Sequence, residues 1–294
     1  MEEVGRNSYR GLLKMSNDNI MSRGIRSVSD VIVEEKSPGH KVGLVIEPNN
    51  WTDTDPFLLM AEDYFVRGTF GMHPHRGLET VTYVIDGKLE HLDNKSGAGL
   101  LEPGDVQWMT AGKGIIHTED PVEGETVHSL QLWVNLPSDK KMTEPRYQNM
   151  RAQDMPIRHE EGAAIRVFSG SSMGVSTNTK NHVPVTMVEF NVDAGVTVTQ
   201  DLPGSYNGFL YIVDGKGTFG KDATEGKRGQ VLWLERTSEE VQTEVTIHAK
   251  EKLHIILYAG QPIGEKVVAR GPFVMNSEEE ITQAYKDYRE GRFE

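Results

Sequence analysis

The sequence predicts an all-β protein, with two copies of one β-barrel in tandem and a short C-terminal helix. Three observations favour this fold. Apolar and polar residues alternate over short segments, turn residues separate those segments, and the same motifs occur twice in the same order. A chain of 294 residues is long enough for two domains of ordinary size.

The alternation is clear in the strands that end at turns. Val81, Tyr83 and Ile85 share one face of a predicted strand that ends at Asp86-Gly87, a dipeptide typical of hairpins. Similar strands recur along the chain and helical patterns are few, which favours a sandwich or a barrel.

The internal repeat consists of three matched segments. They are Val81–Lys88 with Phe209–Lys216, Gly104–Trp108 with Gly229–Trp233, and Leu132–Pro137 with Leu257–Pro262. Three matches in one order imply two copies of one fold. We therefore expect a loose tail at residues 1–20, a first barrel at residues 21–150 and a second barrel at residues 160–294.

The closing helix is predicted at residues 277–290. Ser277 and Glu280 form a capping-box pattern, and apolar residues then follow at helical spacing: Ile281, Ala284, Tyr285 and Tyr288. We expect this apolar stripe to pack on a barrel.

The composition excludes several classes of function. The chain contains no cysteine, so any metal must be held by His, Asp or Glu. A formal net charge of −13 disfavours direct binding to nucleic acid. No segment is apolar enough for a membrane span or a signal peptide, so we expect a soluble, cytoplasmic protein.

Two pairs of residues at i, i+2 spacing predict a metal site. His73 and His75 share one face of an extended segment, and His117 and Glu119 repeat that geometry. If the two segments are neighbouring strands, three imidazole nitrogens and one carboxylate oxygen converge, a set that suits iron, manganese, nickel, copper or zinc.

The order of these motifs is that of a cupin, a double-stranded β-helix or jelly-roll barrel. The first pair precedes the Asp-Gly hairpin, and the second follows the turn Pro103–Asp105, with Gly114 three residues before His117. Gly112 departs from the general pattern, which has proline there, and this weakens any transfer of substrate from other cupins.

Several segments together resemble the pirin family. They are His73–Tyr83, Gly104–Gly112, Gly114–Glu119, Leu130–Leu136 and Gly271–Asn276. Pirins are bicupins with one iron in the N-terminal barrel. The resemblance therefore implies one Fe(II) per chain, with manganese, nickel, copper, cobalt or zinc as possible substitutes, bound by His73, His75, His117 and Glu119.

Glu79 is the competing carboxylate. In many cupins the glutamate shortly after His-x-His is the ligand, whereas the pirin pattern gives that role to Glu119. We expect Glu79 to hydrogen-bond a ligand imidazole, with a buried, paired acid as the alternative.

The second copy supplies an internal control. Alignment of the repeats puts Asp201 and Pro203 at the positions of His73 and His75, and Gln242 and Glu244 at those of His117 and Glu119. The second barrel has lost the imidazoles and is predicted to bind no metal.

The other histidines have no partner at ligand spacing. His128 alternates with Leu130 and Leu132, which predicts a core histidine, and His254 occupies a neighbouring position on the equivalent strand. His40 and His91 are predicted at the surface or in loops.

Two functions are consistent with this site. The resemblance implies an enzyme, a quercetin 2,3-dioxygenase that cleaves a phenolic substrate such as a flavonol with O2. Glu119 is the candidate base, with Glu79 as the alternative. The alternative is an iron-dependent, redox-sensing regulatory protein that binds a protein partner, because cupins host both kinds of function.

Overall fold

The computed structural model describes residues 20–94 and 98–293. The tail expected at residues 1–20 lies outside the described residues, apart from Ile20. In the described part, helix α1 spans Trp51–Thr54, helix α2 spans Glu278–Arg289, and two 3₁₀ turns span Ser138–Lys140 and Ala152–Asp154.

The strands run as follows in the half of the chain that contains the histidine motifs. They are β1 (Met21–Ser22), β2 (Ile25–Asp30), β3 (Glu34–Ser37), β4 (His40–Ile46), β5 (Phe57–Val66), β6 (His73–His75), β7 (Leu78–Asp86), β8 (Leu89–Asp93), β9 (Ala98–Leu101), β10 (Val106–Thr110), β11 (Ile115–Pro121), β12 (Thr126–Asn135) and β13 (Arg146–Met150).

The remaining strands belong to the second half. They are β14 (Ile157–Glu160), β15 (Ala163–Ser169), β16 (Ser171–Ser172), β17 (Val175–Ser176), β18 (Val185–Val192), β19 (Thr197–Pro203), β20 (Asn207–Asp214), β21 (Lys216–Phe219), β22 (Thr224–Lys227), β23 (Gln230–Leu234), β24 (Gln242–Ala249), β25 (Leu253–Gly260), β26 (Val268–Arg270) and β27 (Phe273–Met275).

Each barrel consists of two sheets. In the first barrel a seven-stranded sheet of order β13-β10-β7-β12-β5-β4-β3 faces a four-stranded sheet of order β6-β11-β8-β9. In the second, a seven-stranded sheet of order β14-β15-β18-β25-β20-β23-β2 faces a five-stranded sheet in which β24 pairs with β1, β19 and β21. The predicted fold, two tandem cupin barrels, is confirmed.

The strand register agrees with the sequence repeat. Tyr83 of β7 pairs with Val106 of β10, and its counterpart Tyr211 of β20 pairs with Val231 of β23. Both pairs join a Tyr-x-x-Asp-Gly strand to the strand that follows the second turn motif, so the two copies fold alike.

The two barrels pack through their large sheets. One apolar cluster contains buried residues of both, among them Val81, Trp108, Phe209 and Trp233. Both tryptophans, which the sequence repeat places at matching positions, are buried. A second cluster, which includes Leu210, fills the interior of the second barrel.

The first and the last strands of the described residues cross between the barrels. Strands β1 and β2 pair with β24 and β23 of the second barrel, although the linear division at residues 21–150 assigns them to the first. In the other direction, a parallel bridge joins Phe273 of β27 to Arg76, next to the first histidine motif. Pairing across the molecule covers strand edges that would otherwise be exposed.

The C-terminal helix has the predicted cap. The Glu280 backbone N–H donates to the Ser277 hydroxyl, and the Glu280 carboxylate accepts from the Ser277 backbone N–H. Ile281 and Ala284 are fully buried, and they pack with Ile116 of the first barrel. Of the helices in residues 20–94 and 98–293, none combines the length and the apolar character that a membrane crossing requires.

Candidate metal centre

Two neighbouring strands bring the three histidines together. β6 carries His73 and His75, and it pairs antiparallel with β11, which places His73 directly opposite His117. Residues two apart on a strand share a face, so all three rings point into the first barrel. This is the convergence that the spacing predicts.

The rings lie in contact with one another. The centroid of the His117 ring is 4.4 Å from that of the His73 ring and 5.1 Å from that of the His75 ring. The centroids of the His73 and His75 rings are 5.0 Å apart. One nitrogen from each ring can be chosen so that all three lie within 4.8 Å of one another. The group can therefore hold one metal ion.

Burial keeps the inner rings neutral. Desolvation, with a smaller contribution from His73, lowers the pKa of His75 to about 3. Desolvation also holds the pKa of His117 well below its ordinary value, and the neighbouring imidazoles lower it further. Neutral imidazole is the form that binds metals.

The ring nitrogens fit a metal ion. Both nitrogens of His75 and of His117 are buried without a hydrogen bond of normal geometry among the described residues. His73 Nδ1 lies 2.8 Å from the Gly71 carbonyl oxygen, which accepts its proton and leaves Nε2 with a free lone pair. Buried polar atoms without partners are costly, and a bound cation would satisfy them.

Glu119 lies on the same face of β11 as His117. Its two carboxylate oxygens accept hydrogen bonds from the Thr82 hydroxyl at 3.0 Å and from the Gln131 side-chain amide at 2.7 Å. In this conformation its oxygens are not part of the group within 4.8 Å. The structure therefore places the carboxylate beside the three histidines and bonded to the opposite sheet.

Glu79 faces away from the histidines. It alternates along β7 with Thr80 and Thr82, so it points to the side of the sheet that packs on the second barrel. Its carboxylate accepts a hydrogen bond from the Thr110 hydroxyl at 2.6 Å, and burial raises its pKa. The expected hydrogen bond to a ligand imidazole is not among the contacts of the described residues, and Glu79 has the features of the alternative, a buried, paired acid.

A largely apolar cavity opens beside the histidines. Its volume is about 240 Å³. His73, Glu119, Thr82 and Gln131 line it, together with apolar side chains that include Leu59, Ala61, Phe65, Phe70 and Trp133. The Trp133 ring stands edge-on to His75 at a centroid distance of 5.2 Å. An apolar cavity with a few convergent polar groups is the usual form of a small-molecule site.

His91 is a site residue that the sequence interpretation missed. It is buried, it lies opposite Glu119 in the strand register, and its ring centroid is 5.4 Å from that of His117. Asp93 lies 3.3 Å from His91 Nε2, and the Tyr147 ring packs against the imidazole. The prediction of a surface or loop position is wrong, because β8 is a strand of the barrel and turns His91 inward.

His40 was also predicted at the surface or in a loop, and that prediction is wrong too. Its Nε2 lies 2.8 Å from Asp63 Oδ1, and both residues line the cavity. His128 is paired in the core as predicted, with Glu62 at 2.8 Å, and His254 pairs with Glu189 at 3.0 Å.

The second barrel pairs its strands as the first does, with one shift. Asp201 faces Glu244, as His73 faces His117, and Pro203 faces Gln242. The repeat alignment had matched Glu244 to Glu119, two residues away from this register. The equivalent positions carry no imidazole in either alignment.

Comparisons with known proteins identify the family. A pirin-like protein of Solanum lycopersicum is 39% identical over 285 residues, which cover 95% of this chain and 96% of the relative. The family model described as Pirin matches residues 46–134, and the Pirin C-terminal cupin domain matches residues 187–294. The chain belongs to the pirin family.

Other relatives and solved structures agree with this membership. Human pirin is 38% identical over 243 residues, covering 81% of this chain and 82% of the relative. The GK1651 protein of Geobacillus kaustophilus is 62% identical with a TM-score of 0.84, and covers 85% of this chain and 100% of its own. A quercetin 2,3-dioxygenase of Acinetobacter baumannii is 30% identical with a TM-score of 0.81, and the match covers 93% of this chain and 98% of that protein.

Proposed function

We propose that this member of the pirin family is an Fe(II)-dependent dioxygenase of the quercetin 2,3-dioxygenase type, which cleaves a flavonol with O2. The observation that carries the proposal is the three-histidine group beside one carboxylate in a single, largely apolar cavity. The likeness to a protein named quercetin 2,3-dioxygenase at 30% identity supports it.

The ligands in this proposal are His73, His75, His117 and Glu119. Glu119 would turn one carboxylate oxygen toward the ion and keep a hydrogen bond from Thr82 or Gln131 at the other oxygen. When bound, Fe(II) would supply Lewis-acid and redox chemistry, including a lower pKa for a chelating hydroxyl group of the substrate. Manganese, nickel, copper, cobalt and zinc suit the same donor set and are possible substitutes.

Glu119 is also the proposed base. It is a carboxylate in the cavity and next to the histidines, so it can accept the proton of a substrate hydroxyl at one of its oxygens. Each oxygen accepts one hydrogen bond from the protein and retains a further acceptor site. Thr82 and Gln131 thus orient the carboxylate without blocking it.

The apolar walls bind the ring system. Phe65, Phe70 and Trp133 offer aromatic surface, and Leu59 and Ala61 add aliphatic surface to the same cavity. A flat aromatic ligand in this cavity displaces water from the histidine end, which strengthens the interactions of the polar groups there.

Metal analysis tests the site. We expect one equivalent of iron per chain after dialysis, because the second barrel carries Asp201 and Pro203 where imidazoles would be needed. His117→Ala should lose tight binding, because it removes a nitrogen donor. His254→Ala, which alters a histidine paired with Glu189, is the control and should retain the metal. Two equivalents that survive dialysis would contradict a single site.

Oxygen consumption tests the reaction. The Fe(II)-loaded protein should take up O2 when quercetin is added, and the flavonol absorption should decay with it. The zinc-loaded protein is the control, because zinc has no redox chemistry. If the iron-loaded protein takes up no oxygen with any flavonol or catechol, the dioxygenase proposal is wrong, and the alternative of an iron-dependent regulatory protein with a protein partner gains support.

A further inference from the structure

The strand register divides the face of the large sheet that borders the cavity into three rows. Three strands of the large sheet each contribute one residue per row: Leu59, Trp133 and Thr80 to row one, Ala61, Gln131 and Thr82 to row two, and Asp63, Ser129 and Val84 to row three. Row one touches His75 through Trp133, and row two holds Glu119. Because residues two apart on a strand are separated by about 6.6 Å, row three lies roughly 13 Å from row one.

Row three contains a second polar group, Asp63. Its Oδ1 lies 2.8 Å from His40 Nε2, and the two side chains are 11% and 12% exposed. The His40 ring is held edge-on against Phe70 at a centroid distance of 5.2 Å. In the described part of the chain, His40 is the one side chain hydrogen-bonded to Asp63.

The neighbouring carboxylate, Glu62, differs from Asp63 in its hydrogen bonds. It points to the other face of β5, and the protein satisfies both of its oxygens, one by His128 at 2.8 Å and the other by the Tyr211 hydroxyl at 2.6 Å. Although burial opposes its ionisation, these bonds lower the pKa of Glu62. Asp63 lacks a second donor of this kind, and burial raises its pKa despite the bond to His40.

We propose that Asp63, oriented by His40, accepts a hydrogen bond from a phenolic hydroxyl group at the end of the substrate that is distant from the three histidines. This inference rests on the proposed function, and it names a specificity-determining residue for that site. A phenol O–H is the donor that Asp63 lacks, and the apolar side chains of the cavity suit the rings between the two polar ends. Asp63 and Glu119 together disfavour a carboxylate substrate, because both carry negative charge when ionised.

Two flavonols that differ in one group test the proposal. Kaempferol carries a single hydroxyl on its outer ring, galangin carries none, and neither can chelate a metal through that ring. Anaerobic calorimetric titration of the Fe(II)-loaded protein gives the two dissociation constants without turnover. We expect kaempferol to bind about 10- to 100-fold more tightly, the range for a hydrogen bond to a charged group.

Substitutions at adjacent positions locate the effect. Asp63→Leu should reduce the kaempferol preference to about one, and the isosteric Asp63→Asn should reduce it in part, because a neutral acceptor bonds less strongly. If Asp63→Leu fails to fold, the kaempferol preference of Asp63→Asn still tests the proposal. Glu62→Gln is the matched control: it alters the next residue, also paired with a histidine, and should leave the preference unchanged.

The outcomes separate this inference from the proposed reaction. A preference that is lost at Asp63 and kept at Glu62 supports the inference, even if oxygen uptake fails and only the reaction is wrong. Equal binding of the two flavonols by the parent protein, or a preference that survives both Asp63 substitutions, overturns it. A parent protein that binds iron but neither flavonol overturns both the inference and the flavonol assignment.

Discussion

At the scale of single residues, the proposed chemistry depends on a carboxylate held between two sheets. Glu119 belongs to the small sheet with His117, whereas Thr82 and Gln131, which bond it, belong to the large sheet. Two hydrogen bonds to an ionised group are worth about 1.5–3 kcal/mol each, so they fix the carboxylate in the cavity.

Replacement of this carboxylate separates metal binding from turnover. Glu119→Gln keeps the size of the side chain and an oxygen donor but removes the base. We expect the quercetin oxidation rate to fall by about 10²- to 10⁴-fold, the range for loss of a general base, with iron retained at reduced affinity. Oxygen uptake and metal analysis on the same preparation measure both effects.

The control for this substitution is the next residue. Asp120 alternates with Glu119 and lies on the outer side of β11, where it accepts a hydrogen bond from the Gly68 backbone N–H. Asp120→Asn should oxidise quercetin at the parent rate. If Glu119→Gln also retains iron and the parent rate, Glu119 is not the base.

The histidines differ in whether a local sequence pattern predicts their positions in the fold. His73, His75 and His117 could be found because i, i+2 spacing is a local signal of a shared strand face. His91 has the same spacing to Asp93, and this local signal could have predicted that both side chains share one face of a strand. His40 and Asp63 come together only across β4 and β5, so no local pattern could reveal them.

At the scale of elements, the C-terminal segment clamps the first histidine motif. Arg76, the residue after His75, donates to Asp287 of α2 at 2.7 Å and to the Lys113 carbonyl at 2.6 Å. The Phe293 ring lies 4.4 Å from its guanidinium carbon. The helix therefore supports both strands that carry the histidines.

Glycine permits the close approach of this segment. Gly77 has φ of +79°, and a Cβ there would lie 1.9 Å from the Val274 carbonyl oxygen of β27. A side chain at this position would push β27 away from the histidine motif, so the turn after His75 requires glycine.

The pH dependence of stability tests the contact between Asp287 and Arg76. Burial opposes ionisation of Asp287, but bonds from Arg76, Gln283 and Arg292 lower its pKa to about 2 from the ordinary 3.8. Because the folded value is below the unfolded one, the stabilisation is present above about pH 4 and is lost as pH falls towards 2. Solvent screening at the half-exposed Arg292 reduces this stabilisation of the folded state to about 1 kcal/mol.

Urea unfolding at pH 6 and pH 3 gives the measurement. Asp287→Asn should lower the free energy of unfolding at pH 6 and should reduce the parent's loss of stability between pH 6 and pH 3. Glu278→Gln alters an exposed ion pair of the same helix with Arg270 and serves as the control. If the two variants show equal stability at pH 6, the pair of Arg76 and Asp287 does not hold the helix in place.

The helix itself was predictable, but its docking site was not. Its cap and apolar stripe are local patterns within 277–290. Its partner surface includes Ile116, far away in the sequence and in the other barrel. Such a contact depends on how the whole chain packs, and periodicity carries no information about it.

At the scale of the whole molecule, the two barrels exchange hydrogen bonds in a reciprocal arrangement. The Tyr211 hydroxyl of the second barrel donates to Glu62 of the first at 2.6 Å. The Tyr83 hydroxyl of the first barrel donates to Glu189 of the second at 2.8 Å. Each glutamate also pairs with a histidine of its own barrel.

The sequence repeat explains this symmetry. Tyr83 and Tyr211 occupy the same position in the matched strands, so two like barrels facing each other place like groups in like contacts. The repeat predicted two copies of the fold, but it could not predict that their large sheets face each other or that the first and last described strands pair with the opposite barrel. Those features depend on contacts between distant segments.

A double-mutant cycle tests whether the barrels unfold together. Tyr211→Phe should lower the free energy of unfolding by about 1.5–3 kcal/mol, because it removes a hydrogen bond to a buried, charged group. The double variant Tyr211→Phe, Glu62→Gln should lose less free energy of unfolding than the sum of the two single variants, by roughly 0.5 kcal/mol or more. The reason is that both substitutions remove the same hydrogen bond. Urea unfolding should show one transition in every variant.

The cycle has an internal control in Glu189. Strand β25 lies between Tyr211 and Glu189, with Ile256 in register with both, so the backbones of the two residues are about 9.6 Å apart. Tyr211→Phe and Glu189→Gln should therefore add within about 0.3–0.5 kcal/mol. Two separate transitions, or equal coupling in both cycles, would mean that the reciprocal bonds do not join the barrels into one cooperative unit. With a single transition and coupling confined to the bonded pair, loss of an interface bond in the second barrel would also destabilise the barrel that contains the three histidines.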